Sequence, residues 1–394
     1  MTSNSEETVT NGLVVALNGC SPAIIFPAWN ALQPERRMGG EQAAFRTTLR
    51  RNRTTPGGRS ATRRTGARWH GRKERSRPDK GAKVLDQFFS QISFVDIFNF
   101  CVFLTFTICY TYQLYYVFVV LTRKPKELTA KKNHKFAAVI SARNESAVIG
   151  DLIHSIKVQN YPSELIDVFV IADNCTDDTA RVAREAGAIV FPRSNDKEVG
   201  KGYALDYGFQ CIRERYADKG YEAYFVFDAD NVLDVNYFRE MNKTFDNGAK
   251  ASTSYRNSKN YDSNWISAGY AVWFLREAKF LNQARLTLNT SCAVSGTGFF
   301  IAADIIEKNG GWKWHLLTED IEFSANSILE GTRISYTPTA ILYDEQPITF
   351  RDSWNQRFRW AKGFYQVFWH YGARLAKGIA VNPRARASLA TTCS

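Results

Sequence analysis

The apolar positions of this chain fall into three regimes. Up to about residue 84 no sustained apolar period appears, and the stretch ends rich in Arg, Gly, Thr, Ser and Pro, as in Arg50-Arg51-Asn52-Arg53. Such sequence cannot bury enough apolar surface to offset chain entropy, so residues 1–84 are expected to form a disordered basic tail. From Ile97 to Thr122, 26 residues then pass without a formal charge. About 20 apolar residues suffice to cross a hydrocarbon core, which predicts a transmembrane helix over 95–122. A cleaved signal peptide would be shorter and nearer Met1. Tyr112, Tyr115 and Tyr116 are placed to join an interfacial aromatic belt.

The third regime alternates short β-rich runs with helical spacing. Strands are expected over Phe136–Ala142, Asp167–Asp173, Ala188–Pro192 and Tyr224–Asp230. Helices are expected over Ser146–Gln159, Asp177–Gly187 and Lys201–Tyr216. This alternation predicts an α/β domain over 135–345, a doubly wound and mostly parallel sheet preceded by the transmembrane helix. Ligands of such sheets bind beyond the carboxyl ends of the strands, so the chemistry is sought there. An amphipathic helix over 346–380 is expected to be interfacial, and a polar tail follows over 381–394.

Charge changes the picture less than its size suggests. The net charge is +12, but thirteen Lys/Arg lie between Arg46 and Lys80 against only Glu74 and Asp79. The folded part is therefore near balance, and nucleic acid is not an expected partner. The basic stretch has Phe45 at its edge and Trp69 inside it, too few aromatics for base stacking. The seven cysteines, at 20, 101, 109, 175, 211, 292 and 393, form no Cys-x-x-Cys pair. They read as reduced thiols rather than a disulfide framework or a zinc site. Arg123, Lys124, Lys126, Lys131, Lys132 and Lys135 directly follow the apolar run and place everything after it on the cytoplasmic side. The tail opposes that orientation, a conflict removed if translation starts near Val95.

Three strand ends carry polar groups: Arg143-Asn144-Glu145, Asp173-Asn174 and Asp228-Ala229-Asp230. Asp228 and Asp230 follow the apolar run Tyr224-Phe225-Val226-Phe227. In extended geometry i and i+2 share a face, and two adjacent anions call for a cation between them, which suggests Mg2+ or Mn2+. Thr318-Glu319-Asp320 opens a helix, with Thr318 a natural N-cap and the acids favoured by the helix dipole. Gln356, Arg359 and Trp360 stand at i, i+3 and i+4 on one helical face, a set able to hold a diphosphate and stack on a sugar ring.

The ordered set of Asp173, Asp228-x-Asp230, Thr318-Glu319-Asp320 and Gln356-x-x-Arg359-Trp360 resembles the family-2 glycosyltransferases. Within them it is similar to the processive branch of cellulose, chitin and hyaluronan synthases. The resemblance spans about residues 95–380 and implies a nucleotide-diphospho-sugar transferase fold. It implies that Arg143, Glu145, Asp173, Asn174, Lys201 and Gly202 hold the nucleotide, with Asp228 on ribose or phosphate and Asp230 on the metal. It further implies that Asp320 is the general base. Gly296, Thr297 and Gly298 would line the acceptor path, and Glu319, Gln356, Arg359 and Trp360 would bind diphosphate and the acceptor end. The implied activity is inverting transfer of a sugar, with a UDP-sugar the expected donor, to a glycan or lipid-linked acceptor. The implied setting is the cytoplasmic face of a bacterial plasma membrane. Processive relatives carry further membrane helices after Gln-x-x-Arg-Trp, and no second span is found here. The competing readings are an inactive or truncated nucleotide-binding membrane protein and a nucleotidyltransferase, which also uses paired Asp and a metal.

Overall fold

The computed structural model describes residues 93–381. The expectations for residues 1–84 and for the tail after Val381 lie outside the described residues. In chain order the first elements are α1 (Phe94–Thr122), β1 (Phe136–Ala142), α2 (Ile149–Lys157), β2 (Ile166–Asp173), α3 (Thr179–Glu185) and β3 (Ile189–Arg193). Next come α4 (Lys201–Arg215), β4 (Ala223–Asp228), β5 (Val232–Leu233), α5 (Tyr237–Asp246) and β6 (Ala251–Ser258). α6 (Trp265–Arg276) passes through a π-helical turn, Glu277–Asn282, into α7 (Gln283–Thr287). The chain ends with β7 (Phe299–Ala302), α8 (Ala303–Lys308), α9 (Glu319–Leu329), β8 (Ile334–Asp344) and α10 (Phe350–Val381).

One sheet orders these strands β3-β2-β1-β4-β7-β6-β8-β5. β3, β2, β1 and β4 are mutually parallel, and so are β6 and β8; β7 and β5 run antiparallel to their neighbours. The α/β, mostly parallel class is thus found, in a mixed sheet whose second half the apolar pattern did not announce.

Strand alternation builds the two cores. Val139, Phe169 and Ile171 pack with Phe209, Ile212, Trp312 and Phe323 on one face. Phe136, Ile140 and Val170 pack with Leu152, Phe225, Phe238 and Met241 on the other. Such residues bury about 1.5–3 kcal/mol of transfer free energy each. α4 lies close on the sheet because residue 208 is glycine: a Cβ there would come within 2.6 Å of the Ile171 side chain. β6 is held differently. Its buried Ser254 hydroxyl donates to the Gly298 carbonyl at 2.7 Å, and the Ser252 hydroxyl pairs with that of Thr337 at 3.1 Å.

α1 is 29 residues long, long and apolar enough to cross a membrane. Thr105, Thr107 and Thr111 donate their hydroxyls to carbonyls four residues back, which removes free polar groups from an apolar surface. Its last turns meet the domain instead: Tyr116 and Val119 are buried against Leu281 and Ala284. Arg276 also donates to Gln113 Oε1 at 2.6 Å. Of the three tyrosines expected in an aromatic belt, Tyr115 is 52% exposed, while Tyr112 and Tyr116 pack into that contact.

Candidate active site

The carboxyl ends of β1, β2, β4, β6 and β8 and the entry to β7 meet at one sheet edge. At the β2 end, register places Asp173 beside Arg193, which donates to its Oδ1 at 2.6 Å; Asp173 is only 4% exposed. Asn174 and Asn144 both adopt left-handed backbone (φ 51° and 59°), which asparagine tolerates. Asn144 Oδ1 accepts the Thr176 N–H at 2.7 Å, so the Arg143–Glu145 loop and the loop after Asp173 are tied together. Arg143 and half-buried Asn174 are the more accessible groups of this set. Burial raises the Glu145 carboxyl above its ordinary range, and the Asp228 charge adds to it.

β4 ends at Asp228, not at Asp230 as the apolar run suggested. The Asn231 N–H turns back to the Asp228 carbonyl at 3.3 Å, and the Asp228 N–H is taken by the Thr297 hydroxyl at 2.9 Å. The i, i+2 strand argument therefore fails in its geometry. The two acids nevertheless feel each other: the Asp230 carboxyl is pushed up to about 8 by burial, then by Asp344 and Asp228.

Lys201, the first residue of α4, points its ammonium into this corner. It donates to Asp228 Oδ1 at 2.5 Å and to the Gly296 carbonyl at 2.7 Å, and lies 3.6 Å from Glu319 Oε1. Burial disfavours its charge, yet Asp228 and Glu319 outweigh that and hold its pKa above the ordinary value. Across from it the Gly296 N–H donates to Asp320 Oδ2 at 2.6 Å. Burial pushes both Glu319 and Asp320 upward, and the Asp320 charge adds to this at Glu319. A carboxylate so raised is a better proton acceptor than a free Asp.

Several expected residues sit elsewhere in this arrangement. Thr318 makes no side-chain cap; its hydroxyl is buried without a hydrogen-bond partner. It is pressed instead against Gly363 of α10, where a Cβ would come within 2.3 Å of Thr318 Cγ2. Gly202 packs on the Trp314–His315 backbone, a Cβ there meeting the Trp314 carbonyl at 2.4 Å. Thr297 and Gly298 are buried, with Thr297 donating to Asn231 Oδ1 at 2.5 Å, so only Gly296 of the three is open to the cleft. On α10, Arg359 is exposed and Trp360 stands edge-on to Tyr270 at 5.9 Å. Gln356 Oε1 is buried and unpartnered. α10 packs on α9 through Gly363 and through Tyr371, which donates to Glu322 at 3.1 Å.

Sequence reasoning missed Arg193, Arg256, Asn231, Glu277 and Asp344. Arg256 Nε donates to Asp344 Oδ2 at 2.9 Å, its Nη2 to the same oxygen, and its Nη1 to the Ser295 carbonyl at 2.9 Å. Asn231 joins Asp344 to Asp230 with bonds of 2.7 and 3.2 Å. The available signal was a charge closing each apolar or hydroxyl-rich run, as at Arg193 and Asp344. Their partners are 20 and 88 residues away in the chain.

The donor set fits a divalent ion held by few protein ligands. Asp230 is a half-buried carboxyl without a cationic partner in contact, and Asp344 and Asp228 crowd it. Among the described residues no three His, Cys, Asp or Glu side chains form a cage. An ion held at Asp230 would complete its shell from a ligand such as a diphosphate.

The model of the family described as "Glycosyltransferase like family 2" matches residues 134–363, more than half of the chain. Beta-monoglucosyldiacylglycerol synthase of Synechocystis sp. is 25% identical over 235 residues, covering 59% of this chain and 48% of that protein. Poly-beta-1,6-N-acetyl-D-glucosamine synthase of Staphylococcus epidermidis is 23% identical over 266 residues, covering 65% and 63%. This chain thus spans about half to two thirds of the length of these relatives. A mannosyltransferase from Pyrobaculum calidifontis, solved with GDP-Man and Mn2+, superposes with TM-score 0.50 at 16% identity, over 73% of this chain and 83% of that one. That likeness establishes the nucleotide-sugar transferase fold.

Proposed function

Because the chain belongs to the family-2-like glycosyltransferases, we propose that it is a membrane-anchored, inverting, metal-dependent glycosyltransferase. It takes a sugar from a nucleotide-sugar, with UDP-sugars the expected donors, and passes it to a glycan or lipid-linked acceptor. The observation that carries this reading is Asp320. Its carboxylate stands in the first turn of α9, is held by backbone N–H groups that include that of Gly296 and is raised by burial, beside the corner formed by Asp228 and Lys201.

Displacement of a nucleoside diphosphate from an anomeric carbon needs a base for the incoming hydroxyl and cations for the leaving group. Asp320 takes the proton. Lys201 holds Asp228 and the Gly296 carbonyl in place, and Arg359 is an exposed cation on the helix next to α9. Asp230, with Asp228, would hold Mg2+ or Mn2+, which when bound supplies a Lewis acid for the diphosphate charge. One base and one displacement give inversion at the anomeric carbon. Nucleotide recognition falls to Arg143, Glu145, Asn174 and the Asp173–Arg193 pair around the first two strand ends.

Two features support a membrane setting. α1 meets the length and composition of a span. α10 buries Ser353, Gly363, Val367 and Leu375 while exposing Trp354, Phe358, Phe364, Phe368 and Trp369, the two faces of an interfacial helix. The basic residues after α1 favour a cytoplasmic active site.

The test uses membranes carrying the chain, a panel of labelled UDP- and GDP-sugars, and diacylglycerol or oligosaccharide acceptors. Label from one donor in a lipid-extractable or polymeric product supports the reading and selects the acceptor class. Transfer of the nucleotide rather than the sugar would make the chain a nucleotidyltransferase.

A further inference from the structure

One peptide group joins two halves of the site. Gly296 has φ +75°, a left-handed geometry that turns its two flanking peptide planes toward different partners. The Ser295 carbonyl and the Gly296 N–H belong to the same planar unit. That carbonyl accepts from Arg256 Nη1 at 2.9 Å, and that N–H donates to Asp320 Oδ2 at 2.6 Å. Rotating the plane to suit one partner moves the other by the same angle, and a cation on the oxygen end polarises the N–H toward the carboxylate.

Arg256 is itself fixed on three sides. Its Nε and Nη2 bind Asp344, and its guanidinium carbon stands over the Phe274 ring, 4.0 Å from the centroid. On the remaining side is Glu277, the first residue of the π-helical turn and a half-buried carboxyl. Burial raises its pKa, and Arg256 is the foremost charge holding it down. Glu277 Oε2 also accepts the Ser295 hydroxyl at 3.4 Å, so it braces the same residue that Arg256 grips. π turns of this kind recur at functional sites. A guanidinium suits this task, because Lys could not reach Asp344 and the carbonyl together in one plane.

We infer that Arg256 is a positioning residue for the general base, setting the Asp320 carboxylate through the Ser295–Gly296 peptide, with Asp344 and Glu277 as its anchors. The inference rests on the glycosyltransferase reading above. Arg256 touches no reacting atom; its effect on the base is on the geometry of proton removal.

The experiment compares wild type, Arg256→Ala, Arg256→Lys and Glu277→Gln in membranes, reading kcat, donor KM and nucleoside diphosphate binding. A misplacement of the base by about 1 Å costs on the order of 10²-fold in rate. Arg256→Ala is expected to lose about that in kcat, and Arg256→Lys about tenfold, with donor KM within about twofold for both. Glu277→Gln, which keeps the shape and the hydroxyl contact, is expected to lose less than Arg256→Ala. Retention of kcat within about threefold in Arg256→Ala overturns the inference. Full rescue by Lys, or loss of nucleotide binding in both Arg256 variants, overturns it in favour of a structural brace. A wild type that turns over no donor overturns the glycosyltransferase reading itself, a result distinct from either.

Discussion

Gly363→Ala isolates the contact between α9 and α10. The added Cβ would lie 2.3 Å from Thr318 Cγ2, 2.6 Å from its Oγ1 and 2.9 Å from its Cβ. Carbon atoms rest at about 3.5–4.0 Å, so the helices must separate there by roughly 1 Å. Overpacking costs about 1–3 kcal/mol, while replacing a helical Gly by Ala returns about 1 kcal/mol, so net stability falls by no more than about 2 kcal/mol. The effect on turnover is larger. Thr318 directly precedes Glu319 and Asp320, and a shift of about 1 Å at a base costs on the order of 10²-fold in rate. Thr318→Ala in the Gly363→Ala background removes two of the three clashing atoms. It also deletes a buried hydroxyl that has no hydrogen-bond partner, at little cost. The double variant is expected to recover at least about tenfold in turnover, a coupling of about 1.4 kcal/mol. Nucleoside diphosphate release measures turnover, and thermal inactivation of the solubilised chain measures stability. Wild-type turnover in Gly363→Ala, or no recovery in the double variant, would refute the packing argument.

Asp230 has a folded pKa of about 8, above its unfolded value of 3.8. The folded state binds the extra proton, so this group lowers stability progressively as pH rises from about 4 to about 8. Asp230→Asn is therefore expected to raise Tm in the metal-free chain by an amount that grows between pH 5 and pH 8; a gain independent of pH would contradict this. Arg193→Ala strands the Asp173 carboxylate, since both side chains of the pair are only 6% exposed. Breaking one partner of a buried pair costs about 3–5 kcal/mol, readable as a fall in the denaturant midpoint, with weaker nucleoside diphosphate binding by calorimetry. Saturating nucleoside diphosphate with Mn2+ is expected to raise the Tm of wild type and to do so far less in Asp230→Asn. Equal shifts would exclude Asp230 as the ion's ligand.

β1, β2 and β4 were legible because each is a continuous apolar run buried on both faces. β6 was not, because Ser252, Thr253 and Ser254 are buried, the two serine hydroxyls satisfied by hydrogen bonds, and such a run reads as a loop. With β6 unseen, Arg256 had no place, and neither did Asp344 at the end of β8, 88 residues further on. Asp320 and Glu319 were found by their motif, but their link to Gly296 is made by backbone turned at positive φ, which no side-chain pattern encodes. Asp228 and Asp230 were found through an extended-strand argument that the turn at Ala229 replaces. Burial and Asp344 nevertheless crowd the Asp230 carboxyl. Thr318 was read as a cap from its position, whereas tertiary packing on Gly363 took its side chain.

In the proposed reaction Asp320, at the head of α9, removes the acceptor's proton while the Asp230 corner serves the leaving diphosphate. This is tested most directly by nucleoside diphosphate release from the preferred donor in membranes carrying wild type, Asp320→Asn or Asp230→Asn, with donor binding measured alongside. The account predicts that Asp320→Asn binds donor with little change and loses turnover by at least about 10²-fold, while Asp230→Asn loses both turnover and metal-dependent donor binding. Turnover in Asp320→Asn within a few-fold of wild type would contradict it.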